Sequence, residues 1–130
     1  MNYLKNLTSG RLGRTHFFGA AALKIILLIL VGLLFDYVQL SDDVLWQKII
    51  AWFILGALWF FGYSTTLRRC HDMEWNKLGS IVTSLILGLP FIWGGLFLLY
   101  VAVMPGTEGP NKYGEPDTGN FLSSVFVLKF

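Results

Sequence analysis

Three apolar runs, over residues 17–37, 45–66 and 78–104, carry almost no charge, and each is long enough to cross a bilayer as a helix. A soluble domain of 130 residues has room for one core, and one core cannot absorb all three. Only 14% of the residues are charged, against about 25% in ordinary soluble domains, so the bilayer must take the excess. The expected fold is an all-α integral membrane protein with three transmembrane helices. Residues 1–16 form a cytoplasmic lead, 17–104 the helical domain and 105–130 a Gly/Pro-rich tail. Lys5, Arg11 and Arg14 precede the first run as in a secretory signal. That run is too long for a signal core, and no small-x-small cleavage site follows it, so it is an anchor.

Cations near span ends set the side of each loop. The densest polar cluster is Arg68, Arg69, Cys70, His71 and Asp72, which reads as a cytoplasmic elbow with Lys77 after it. Arg11 and Arg14 put the N-terminus on the same side. Asp36, Ser41, Asp42 and Asp43, relieved only by Lys48, make an exported loop. A net charge of +2, with cations gathered at span edges, argues against a nucleic-acid partner. A single cysteine, Cys70, excludes an internal disulfide.

Within the first span, Lys24 is expected to snorkel toward the side that carries Arg11 and Arg14, because helical side chains lean toward the N-terminus. In the second span Trp52, Gly56 and Trp59 recur at helical spacing, a stripe for packing or an interface belt. In the third stretch Ser80, Ser84 and Gly88 form a small-residue ridge suited to close helix contact. Pro90 breaks the helix ladder there, and Gly94-Gly95 loosens the next turn. The expectation is one span kinked at Pro90; the alternative is a re-entrant hairpin with both ends inside. From Pro105 to Asp117 turn formers dominate. Residues 121–130 alternate weakly and are too short to span, so they lie on the membrane or pair with a partner.

Three segments together resemble a small bacterial inner-membrane family, domain of unknown function 805. Its G-R-x-x-R-x-x-F/Y-W/F start is matched by Gly10, Arg11, Arg14, Phe17 and Phe18. The R-R-x-H-D elbow is matched by Arg68, Arg69, His71 and Asp72, and the P-G-T-x-G-x-N-x-Y/F-G tail by Pro105, Gly106, Thr107, Gly109, Asn111, Tyr113 and Gly114. The chain departs from the pattern after Asp72, with Met73, Glu74 and Trp75, and continues beyond the usual tail into residues 121–130. The resemblance implies a bacterial inner (cytoplasmic) membrane location and brings no activity.

His71 and Asp72 are adjacent and point apart on a helix, so they make a poor catalytic dyad. No metal-ligand spacing, phosphate loop, nucleophile elbow or dinucleotide fingerprint occurs, and no cofactor is expected. Arg11, Arg14, Arg68, Arg69, His71 and Asp72 are the candidate lipid- or anion-binding set, since guanidinium forks match phosphate. Asn111 and Tyr113 suit turn chemistry and interface packing, with binding secondary. The expected function is a non-enzymatic scaffold or accessory subunit that binds membrane lipids and partner helices, as a homo-oligomer or with another membrane protein. The alternatives are a transporter or channel component using Lys24, His71 and Asp72, and an enzyme acting on lipid headgroups.

Overall fold

Leucine, isoleucine and alanine fill the first apolar run and no proline interrupts it, so it winds into one long helix, α1 (Arg14–Val38). It is followed by α2 (Leu45–Asp72), α3 (Lys77–Leu87), α4 (Ile92–Val103) and the short α5 (Phe121–Phe126). The computed structural model describes residues 6–38, 44–87 and 92–127. Among them every regular element is helical, apart from one isolated bridge between Asn111 and Gly114.

Among the described residues, α1 and α2 are the two helices long and apolar enough to cross a membrane. They run antiparallel, because the Leu12 N–H, just before α1, donates to the Arg68 carbonyl near the end of α2 at 3.1 Å. Their far halves are bare: Leu33 is 62% exposed, Trp52 74% and Phe53 79%. A helix in a soluble core would hide such side chains, whereas hydrocarbon is the solvent that suits them. The buried core lies at the other end, where Leu12, Phe17, Ala20, Val101, Ala102 and Val125 pack together.

Helix α2 runs six residues past the expected limit at Thr66, so the elbow is not a loop. Arg68 to Asp72 form its last helical turn, and all five are buried. The helix then stops in a Schellman turn, with Glu74 N–H on the His71 carbonyl and Trp75 N–H on the Cys70 carbonyl, both at 3.1 Å. Glu74 takes the left-handed position at φ 57°, where glycine would be easier by about 1 kcal/mol.

A single third span over 78–104 is also not what the described residues form. They form two short helices, α3 of 11 residues and α4 of 12, each about 18 Å long and so too short to cross alone. A continuous helix over this stretch would hold its ends about 40 Å apart. Instead both ends sit at the polar end of α2. Trp75, two residues before α3, is tied to Cys70, while Met104, just after α4, accepts from Arg69. Gly88 and Pro90, on which the expected kink rests, lie outside the described residues, as does the Ser84 side chain. Ser80 is fully buried within the chain, its hydroxyl donating to the Asn76 carbonyl at 2.9 Å.

The weakly alternating C-terminal stretch is helical. Asn120 caps α5, its side chain accepting from the Ser123 N–H at 2.9 Å. α5 packs on α1, where Gly19 leaves room for the Phe121 ring that a Cβ would strike.

Candidate functional site

Where α1 begins and α2 and α4 end, three arginines and an aspartate are buried together. Asp72 Oδ1 accepts from Arg11 Nε at 2.9 Å and lies 2.9 Å from a terminal nitrogen of the same guanidinium. Asp72 Oδ2 accepts from Arg69, one turn earlier on α2. Arg11 is 5% exposed and Arg69 0%. Two guanidinium groups on one carboxylate leave an excess of positive charge out of water, and backbone carbonyl dipoles take up the rest.

Each arginine closes a segment whose carbonyls have lost their helical or turn partners. Arg69 donates to Val101 at 3.1 Å, to Leu12 at 3.4 Å and to Met104, and so caps the end of α4. Arg68 donates to Ser124 at 2.6 Å and Val125 at 3.3 Å, placing a cation at the C-terminus of α5, where the dipole favours it. Its Nε is buried and makes no hydrogen bond. Arg11 reaches the Thr107 and Gly109 carbonyls of the tail.

The tail closes over this knot through its own backbone. Thr107 gives both its N–H, at 2.8 Å, and its hydroxyl, at 2.9 Å, to the Asp72 carbonyl. Asn111 Nδ2 donates to the His71 carbonyl at 3.1 Å, and Asn111 Oδ1 accepts from the Tyr113 N–H at 2.9 Å in an Asx turn. The Tyr113 ring stacks on His71, with centroids 3.9 Å apart, and its hydroxyl donates to the Trp75 carbonyl. His71 Nδ1 lies 3.1 Å from the Gly10 carbonyl. The His71 imidazole and Asp72 carboxylate thus have separate partners.

A second polar cluster, which residue spacing does not announce, ties the start of α1 to the tail. Asp117 Oδ2 accepts from the Gly13 N–H at 2.9 Å and lies 2.7 Å from His16 Nδ1, while Oδ1 accepts from the Ser124 hydroxyl at 2.5 Å. Burial pushes this carboxyl up, but the hydrogen bonds from Ser124, Gly13 and His16 outweigh it and hold it below its ordinary value. A depressed folded-state pKa adds stability that is present above the unfolded value and lost as pH falls through the folded one. In detergent, the melting temperature of the wild type should therefore drop steeply below about pH 4. Asp117→Asn should melt lower at pH 7 and fall less steeply on acidification; parallel acid limbs would refute this assignment.

Of the other candidate residues, Arg14 is exposed at the start of α1, outside the knot. Lys24 lies between α1 and α2 on a cavity of about 150 Å³, lined also by Gly62, Thr65 and Thr66. Its amine reaches Gly62, six residues from the Leu12–Arg68 contact along α2, although Lys24 itself lies twelve residues away along α1. The side chain therefore leans back toward the polar end. His71 and Asp72 do not line that cavity. Among the described residues, no three His, Cys, Asp or Glu side chains converge as a metal site would require.

Two helices long and apolar enough for a bilayer, joined at one end by a buried ion knot, are compatible with a small helical membrane protein. This chain belongs to the family described as protein of unknown function DUF805, whose profile matches residues 7–115. That span takes in Arg11, the end of α2 and the tail turn, which are the parts of the knot. No curated protein and no solved structure matches the chain.

Proposed function

We propose that this protein is a non-enzymatic module of the bacterial inner membrane, a scaffold or accessory subunit that gathers partner helices and anionic lipid. The observation that carries the reading is the engagement of the knot: Arg11, Arg69 and Asp72 satisfy one another and the surrounding carbonyls. The densest set of ionisable groups thus serves architecture. Arg11, Arg14, Arg68, Arg69 and Lys77 all lie toward the polar end, and Asp36 lies near the far end of α1. That asymmetry supports an N-terminus and knot in the cytoplasm. On the same view α3 and α4 form a re-entrant hairpin that dips in and returns, the alternative weighed for this stretch. Exposed Trp46, Trp52 and Phe53 on α2 supply a face for a second copy or another membrane protein.

Polymer-extracted nanodiscs examined by native mass spectrometry test this. The expected species is an oligomer or a hetero-complex with another integral membrane protein, carrying anionic lipid. A carbonate-extractable protein, or a bare monomer without lipid, would end the proposal.

A further inference from the structure

Beside the knot, side chains of α1 and α4 border a groove open on the surface of the bundle. Its mouth is a cavity of about 400 Å³ bounded by Arg14 and Thr15. Its deeper part, about 240 Å³, is lined by apolar side chains, among them Ala22 and Ile25 of α1 and Leu99 of α4. The two parts are continuous, since Phe18 and Ala102 line both.

The residues on α1 fall at one face of a helix, and the small side chains Ala22 and Ala102 keep the trough open. From Arg14 to Ile25 the axial rise is about 16 Å, close to half of a ~30 Å hydrocarbon core. The groove therefore has the length of one leaflet, with a cation at the headgroup end.

Arg14 differs from its three neighbours in the knot. Among the described residues it makes one hydrogen bond, to the Val103 carbonyl at 3.5 Å, the outer limit of such a bond. Among the described residues no carboxylate pairs with it, so most of its five N–H donors face outward.

We infer that this groove seats one anionic phospholipid of the inner leaflet, its phosphate on the Arg14 fork and the Thr15 hydroxyl and one acyl chain in the trough over Ala22. The occupant follows from charge complementarity at the mouth and from the length of the apolar floor. It rests on the membrane-module reading and deepens it, by assigning lipid selection to Arg14 where Arg11, Arg68 and Arg69 are engaged internally.

Full-length protein in detergent, supplied with equal phosphatidylglycerol and phosphatidylcholine of the same acyl chains, tests the site by native mass spectrometry. Wild type should retain one phosphatidylglycerol per chain in preference to phosphatidylcholine. Arg14→Gln should lower phosphatidylglycerol retention about fivefold and phosphatidylcholine, whose choline already offsets its phosphate, distinctly less. Ala22→Trp, which fills the trough from an exposed position, should lower both lipids. Lys77→Gln, an exposed cation at the same end of the bundle, should change neither. Equal retention of the two lipids by wild type, equal losses in Arg14→Gln and Lys77→Gln, or full retention in Ala22→Trp would each overturn the assignment. A protein that resists carbonate and forms its oligomer, yet shows no such preference, loses the groove alone. One released by carbonate loses the membrane reading itself.

Discussion

Asp72→Asn is expected to destabilise the fold by about 3–5 kcal/mol, the usual result of removing one partner from a buried ion pair. The carboxylate pairs with Arg11 from the N-terminal segment and with Arg69 from its own helix, and among the described residues no carboxylate is bonded to Arg68, buried nearby. An amide keeps the shape but leaves both guanidinium groups uncompensated, and its N–H groups face donors where an acceptor is required. The damage should be concentrated where the knot joins segments. Trypsin should then reach Arg11 and the tail in the variant at temperatures where wild type is intact, and the helical signal should melt at a lower temperature. An unchanged melting temperature with unchanged protection would mean that the carboxylate is not the centre of the knot.

That centre was only half legible in the sequence. The charges at residues 68–72 stand out against apolar surroundings, and the positive-inside rule explains them without any contact at all. What no spacing reveals is that Arg69 finds the Val101 and Met104 carbonyls, more than thirty residues away, because the chain has returned to its starting level. Hydropathy also ends the second span at Thr66, where polar residues begin, although no glycine or proline interrupts the backbone before Gly79 and the helix continues to Asp72. The third apolar stretch is ambiguous in sequence for a related reason. A crossing and a hairpin hide the same apolar length from water, and residues 78–104 carry no charge that could tell them apart. The distinction lies at the ends, in the contacts of Trp75 and Met104, and those are tertiary. By contrast, the helical nature of α1 and α2, the snorkelling direction of Lys24 and the turn chemistry of Asn111 followed from local rules and appear as those rules state.

Gly106→Ala should damage the same knot from the opposite side, and it separates a packing requirement from a charge requirement. A Cβ at residue 106 would overlap the Asp72 carboxylate, coming within 2.6 Å of Cγ. Such a contact is cheap only when the other group can swing away. Asp72 cannot, because Arg11 and Arg69 hold its two oxygens, and Thr107, the next residue, is pinned to its backbone carbonyl. Either the carboxylate leaves its guanidinium partners or the tail lifts from the end of α2, and the expected loss is about 2–3 kcal/mol, in the upper range for overpacking. A double-mutant cycle identifies the cause. In an Asp72→Ala background the added methyl enters space that the carboxylate has vacated, so Gly106→Ala should there lower the melting temperature little or not at all. If the two losses simply add, the cost of the methyl does not come from its approach to Asp72.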